Sequence, residues 1–216
     1  MAIEANTGLS GVGSSTASSG VTRSTWANFP AASSVAAGTV RMASDYNNSE
    51  WVSDGTYWKP RGGRQRPFVM AAAVSSTGTT SEVNVWGPTI PAGMLFPMCS
   101  VEFGLTATKT GTAGTTTMRQ RYNGAAGTVI GYGNATATSY ISMSIFAKVT
   151  AGVASGGNLT MTQAYPSQVS GFGATPSAAV GVTHTMASAV TLNLTLQAGS
   201  AADTINITNA FVEICG

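Results

Sequence analysis

Residues 190–197, VTLNLTLQ, alternate without a break. Val190, Leu192, Leu194 and Leu196 fall on one side, and Thr191, Asn193, Thr195 and Gln197 on the other. A period of two belongs to a strand with one face on a core and one face turned out. An α-helix would scatter those four aliphatic side chains around its axis. The same period recurs in both directions along the chain. YISMSIFAKV (140–149) puts Ile141, Met143, Ile145, Ala147 and Val149 on one face, and NLTMTQ (158–163) does so with Leu159 and Met161. DTINITNAFVEI (203–214) begins with Ile205 and Ile207 in phase, then changes parity at Asn209–Ala210 to reach Val212 and Ile214, which predicts a β-bulge. Further strands are expected over 68–75, 81–87, 98–107, 115–122 and 127–133. Turn residues separate them and no helical period competes. The expected fold is all-β, an antiparallel sandwich.

Composition narrows the setting. The 216 residues are 43% hydrophobic and only 8% charged, against about 25% charged in ordinary soluble domains. A surface this poor in charge tends to associate. It fits either a secreted or extracellular β protein or, more closely, a subunit covered by copies of itself or by neighbours. The net charge of +2 is too small to call for a polyanionic partner. No run of 18 apolar residues occurs, so no membrane span is expected. The start, MAIEANTGLSGVGSST, has neither a basic end nor an apolar core and does not read as a signal peptide. The Asn-x-Ser/Thr matches at Asn47, Asn134, Asn158, Asn193 and Asn206 are then products of a Thr-rich β sequence, not glycosylation sites. Of the two cysteines, Cys99 shares parity with Val101, Phe103 and Leu105 and should face inward. Cys215 shares parity with Glu213 and should face outward. No disulfide between them is expected.

The stretch EWVSDGTYWKPRGGRQR, Glu50 to Arg66, gathers three aromatics and several of the basic residues. Asp54-Gly55 is a hairpin signal, since a type I′ turn needs positive φ at both central residues. Counted outward from that turn, Trp51 faces Trp58 and Glu50 faces Lys59, with both tryptophans on one face. GTVRMA (38–43) would add a third strand, and RGGRQRP (61–67) reads as a linker. The tryptophans should pack on neighbouring chains or on the next domain, or offer a stacking surface to a sugar. A nucleic-acid interface needs a broad basic surface. This short cluster, with Lys59 paired, does not supply one.

No catalytic constellation is marked. His184 is the only histidine, and no G-x-S-x-G elbow accompanies it. The acids are scattered, so neither a paired-carboxylate site nor a metal cluster is indicated. GYGNA (131–135) lacks the strand–helix setting of a phosphate loop. Expected are no enzymatic activity, no cofactor and no metal. QAYPSQVSGFGATP (163–176) and TATKTGTAGTT (106–116) read as long polar loops, and loops on a rigid scaffold carry function. Tyr165, Gln168 and Phe172 are the candidate interaction residues there, beside Trp51 and Trp58.

Two groups of residues carry a resemblance. GTVRMASDYNNSEWVSDGTYWKPRGG resembles a small β module of tailed-bacteriophage fibre and tail proteins, in which a W-x-SDGT-x-W-x-P segment joins an attachment region to a C-terminal head. TIPAGMLFPMCSVEFGLTAT (89–108) and AADTINITNAFVEI (201–214) are similar to the entry and closing strands of jelly-roll domains in phage virion proteins. The matches cover about half the chain. Residues 109–180 show only the β pattern. The resemblance implies a non-enzymatic virion subunit (fibre, tail or head-decoration protein), most simply a homotrimer assembled in the host cytoplasm. It implies residues 1–37 as an attachment segment contacting other virion proteins, 38–67 as a β module and linker, and 68–216 as a jelly-roll sandwich. Contact with a host-surface glycan would suit such a protein, while nucleic acid and a membrane span are not implied. The rival expectation is a stand-alone carbohydrate-binding module using Trp51 and Trp58.

Overall fold

The computed structural model describes residues 21–135, 140–150, 158–168 and 182–216. The first twenty residues of the expected attachment segment lie outside them. Among the described residues all elements are strands apart from three short 3-10 helices, at Trp26–Asn28, Ala32–Ser34 and Arg61–Gly63. No helix among the described residues is long and apolar enough to cross a membrane.

The N-terminal sheet holds β1 (Thr22–Ser24), β2 (Val40–Ala43), β3 (Ser49–Ser53) and β4 (Trp58–Pro60), in that spatial order. β1 runs parallel to β2, and the other pairs are antiparallel. The type I′ turn expected at Asp54-Gly55 is found instead at Asn47-Asn48. Both residues have positive φ (54° and 52°), and the Ser49 N–H closes on the Tyr46 carbonyl at 3.0 Å. Asparagine tolerates the left-handed region better than most residues, which suits it to this turn. The β3–β4 turn is centred on Gly55-Thr56, with positive φ only at Gly55 (93°). The pairing is therefore offset from the sequence reading: Trp51 faces Pro60, Val52 faces Lys59 and Ser53 faces Trp58. The Asp54 carboxylate causes this offset. It accepts the Thr56 and Tyr57 N–H groups at 2.8 and 2.7 Å and draws two more residues into the turn. The expected ion pair changes with it, so that Lys59 meets Asp54 and Glu50 meets Arg61, each at 2.8 Å.

Arg61–Pro67 is not a free linker. After the 3-10 turn, the chain enters β5 (Arg64–Val69), which pairs with the last strand, β16 (Thr204–Cys215). The register shifts between Val212 and Ile214. That irregularity takes in Pro67, which has no N–H to give to a ladder and is tolerated at a sheet edge. The strands between are β6 (Val74–Thr77), β7 (Val83–Trp86), β8 (Thr89–Ile90), β9 (Ser100–Thr110), β10 (Thr116–Tyr122), β11 (Thr128–Ala135), β12 (Tyr140–Thr150), β13 (Asn158–Gln168), β14 (Val182–Thr185) and β15 (Val190–Gln197).

One sheet runs β14-β13-β12-β9-β16-β5 with β6 also on β16. The other runs β11-β10-β15-β7 with β8 also on β15. Treating β5/β6 and β7/β8 as single broken strands and setting β13–β14 aside leaves the order of a jelly roll. The first strand pairs with the last, the second with the next to last, and so inward to the β10–β11 hairpin. The β13–β14 hairpin extends the edge beyond β12.

Alternation fixes the inner faces. Val101, Phe103, Leu105 and Ala107 from β9 meet Leu192, Leu194 and Leu196 from β15, all buried. The expected bulge in β16 lies between Ile207 and Asn209, and it keeps Ile205, Ile207, Ala210, Val212 and Ile214 at 0% exposure on both sides of the parity change. Both cysteines are free thiols, Cys99 buried and Cys215 half-buried.

Candidate functional site

Trp51 and Trp58 share a face, as expected, but that face is closed. Their exposures are 0% and 5%. The Trp51 indole N–H donates to Ser49 Oγ at 2.8 Å, and that of Trp58 donates to the Pro30 carbonyl at 2.9 Å. The cover comes from the segment before the sheet. Trp26 meets Trp51 edge-on at 5.0 Å, Phe29 meets Trp58 at 5.1 Å, and Trp26 lies 4.9 Å from Phe29. Trp51 is closed off entirely, and Trp58 keeps only a sliver of its ring in the wall of a cleft of about 340 Å³ beside Trp26 and Phe29, so neither offers a broad stacking face. Tyr165 and Gln168 fall in β13, so the loop expected from Gln163 begins as strand. Likewise the loop expected from Thr106 is shortened to 111–115 by the length of β9 and the start of β10. Phe172 lies outside the described residues.

The aromatic lid and the meander are anchored onto the jelly roll. The Trp26 indole N–H donates to the Ala92 carbonyl at 3.1 Å. Along the outer edge of β5, Asn47 donates its amide to the Arg66 carbonyl at 3.0 Å, and the Glu50 N–H donates to Gln65 Oε1 at 3.0 Å. Tyr46 rests edge-on against Phe68 at 5.1 Å. The C-terminal Gly216 N–H closes on the Gly63 carbonyl at 3.0 Å. A single hydrophobic cluster therefore runs from Trp26, Trp51 and Trp58 into the sandwich core.

Three charge clusters were not marked in the sequence, because their members are far apart along it. On the outer face of the larger sheet, Glu102 and Glu213 sit directly opposite each other on β9 and β16. Arg64 and Arg66 reach over from β5, to Glu213 at 2.8 and 3.1 Å, and Arg64 lies 3.7 Å from Glu102. Burial pushes the Glu102 carboxyl up, against the pull of Arg64. The Arg66 guanidinium also stacks 3.6 Å over the Phe211 ring, which lies over Gly104 of the neighbouring strand. The oxygens of Glu102 and Glu213 and the Cys215 sulfur all lie within 4.8 Å of one another. Burial raises the Cys215 thiol, and the two arginines already supply the positive charge that a metal ion would bring.

On the smaller sheet, Arg119 and Arg121 hold Glu82 at 3.1 and 2.7 Å, and Thr195 Oγ1 donates to the same carboxylate. The Arg121 hydrogen bond leads in holding Glu82 below the usual carboxylate range. At one end of the sandwich, Lys109 and Asp203 form an ion pair at 3.3 Å with both side chains at 0% exposure. The Thr112 N–H and hydroxyl donate to Asp203 at 2.7 and 2.8 Å, and Lys109 donates to the Gly114 carbonyl. His184 is 3% exposed, and its Nδ1 is 3.0 Å from the Tyr122 hydroxyl. Burial lowers the His184 imidazole, so a buried neutral ring ties β14 to β10 across the sandwich. Each cluster joins neighbouring strands or closes a loop.

No protein-family model matches the chain, and no curated protein matches it. Several solved structures are distantly alike. The CBM2 module of the evolved Dit of Lactobacillus casei BL23 phage J-1 is 10% identical over 70% of this chain and 96% of its own, with a TM-score of 0.32. The VP2 subviral particle of infectious bursal disease virus is 9% identical over 70% of this chain, with a TM-score of 0.32, and this chain spans only 33% of its length. A legume lectin-like domain from Entamoeba histolytica is 9% identical over 69% of this chain and 87% of its own, with a TM-score of 0.29. Likenesses of this size identify no family.

Proposed function

We propose that the chain is a non-enzymatic structural subunit of a tailed-phage virion (a fibre, tail or capsid-decoration protein) that assembles as a homotrimer. Residues 1–37 would reach other virion proteins, and the jelly roll would form the outward head. The disposition of charge carries this reading. Glu50, Asp54, Glu82, Glu102, Asp203 and Glu213 each sit in an ion pair within the chain. Asp45 accepts the Trp26 backbone N–H at 2.9 Å. These are all the acids whose side chains are described. What faces outward is mostly Thr, Ser, Ala, Asn and Gly with little free charge, a surface that favours association over isolation. The order of modules, a covered meander followed by a jelly roll, agrees with the resemblance carried by W-x-SDGT-x-W-x-P and the closing strand.

Light scattering on the purified chain, with a parallel unheated SDS gel, tests this reading. The expected mass is that of three chains. A monodisperse monomer at working concentration would remove the covered-surface argument and the subunit reading with it.

A further inference from the structure

Between the meander and the jelly roll lies a cleft of about 380 Å³, within the range of about 300–1,000 Å³ typical of small-ligand sites. Tyr46, Phe68, Val69 and Trp86 line it, and Asp45 and Asn47 are its charged and amide-bearing residues. From this composition we infer that the cleft is a binding site for a neutral hexopyranose.

The chemistry of the lining selects that class. A pyranose presents an apolar C–H face and a rim of hydroxyls, so it needs an apolar or aromatic wall with hydrogen-bonding groups at its edge. Tyr46 and Trp86 are both only partly buried. Neither the Tyr46 hydroxyl nor the Trp86 indole N–H has a hydrogen-bond partner among the described residues. Val69 keeps 45% of its surface exposed, one of two large hydrophobic residues so exposed among the described residues. Asp45 commits one carboxylate oxygen to the Trp26 N–H at 2.9 Å, and an ionised carboxylate has acceptor capacity beyond one such bond. The type I′ turn at Asn47-Asn48 holds Asn47 at the rim, with its amide nitrogen fixed on the Arg66 carbonyl at 3.0 Å.

Other occupants fit less well. An anionic sugar would meet Asp45 with no cation in the lining. The nearby Arg66 guanidinium is held by Phe211 and Glu213. An extended peptide adding to the edge of β5 would find that edge occupied by the Asn47 and Gln65 hydrogen bonds. A second copy seeking an apolar interface would find only Val69 as a large exposed hydrophobic residue at the cleft.

Saturation-transfer NMR on the full chain tests the inference, using the methyl glycosides of glucose, galactose and mannose, with methyl sialoside as the charged control. The expected result is transfer to the ring protons of at least one neutral sugar and none to the sialoside. Asp45→Asn should weaken binding about tenfold, the worth of one charge-assisted hydrogen bond, while retaining an oxygen for the Trp26 N–H. Tyr46→Phe keeps the ring and removes only the hydroxyl. It should also weaken binding, and it decides the matter if Asp45→Asn fails to fold. Absence of transfer to all three neutral sugars would overturn the inference. So would equal transfer to the sialoside, or transfer unchanged in every variant that folds. Sugar binding and subunit mass are independent measurements, so either can fail without the other.

Discussion

Asp54 shows how one side chain sets a register. The largest single influence on its carboxyl is desolvation, which pulls its pKa up. The Lys59 ammonium and the Tyr57 and Thr56 N–H groups outweigh this together and hold the group at about 2, against 3.8 when unperturbed. A folded value below the unfolded one means that the ionised form stabilises the fold. The contribution is complete well above 3.8 and is lost as the pH falls through about 2. Asp54→Ala should therefore destabilise the chain at neutral pH by up to about 1 kcal/mol, given the partial exposure of the pair. The deficit should vanish near pH 2, as read by urea unfolding at both pH values. Gly104 makes a steric argument of the same kind. A Cβ built there would lie 2.1 Å from Cζ of Phe211. Gly104→Ala should cost about 1–3 kcal/mol by overpacking and disturb the Arg66–Phe211 stack. An unchanged urea midpoint would show that the ring can move aside.

Among the elements, what the sequence revealed and what it hid have physical causes. β9 to β13, β15 and β16 were legible from their runs of strand-forming residues, most plainly in β15, where one face meets the core and burial imposes alternation; the four residues of β14 around His184 are too few to show a period and were not legible. The bulge in β16 was legible for the same reason, since Ile205 and Ile207 lie out of phase with Val212 and Ile214. β5 was not legible. Its two glycines upstream and its Pro67 are turn signals, and its outward residues are Arg64 and Arg66, whose role depends on Glu213, 147 residues away from Arg66. The β3–β4 register was missed because Asp54-Gly55 is a turn signal only until the aspartate side chain joins the turn. Of the candidate site residues, the burial of Trp51 and Trp58 depended on Trp26 and Phe29, whose segment has no periodicity to betray a lid. The clasp on β5 has a measurable consequence. Arg64 and Arg66 hold the same buried carboxylate, so either can partly replace the other. Arg64→Ala and Arg66→Ala should each cost about 1–2 kcal/mol, and the double variant should cost more than their sum, because Glu213 is then left buried and unpaired beside Glu102. Strict additivity in a double-mutant cycle would contradict the shared clasp.

At the scale of the molecule, the question is whether the meander and the jelly roll are two bodies or one. A tethered module would need a free linker, and the segment expected to be that linker is an edge strand whose outer side carries the meander. The lid residue Trp26 is bonded to the jelly roll through Ala92, the C-terminus closes on Gly63, and the hydrophobic cluster is continuous from one part to the other. Contacts of that kind make separate unfolding expensive, because either part alone would expose the apolar face that the other covers. Nature has placed suitable probes: three of the four tryptophans, Trp26, Trp51 and Trp58, belong to the meander and its lid. Tryptophan fluorescence therefore reports chiefly on the N-terminal part, while far-UV circular dichroism reports chiefly on the jelly-roll strands. In a urea titration the two signals should trace one coincident transition with a common midpoint. Trp58→Phe, which keeps a ring against Phe29 but loses the hydrogen bond to Pro30, should move both midpoints down together. A fluorescence change that precedes the circular-dichroism change would mean that the meander comes off an intact jelly roll, and the reading of the two as one body would have to be given up.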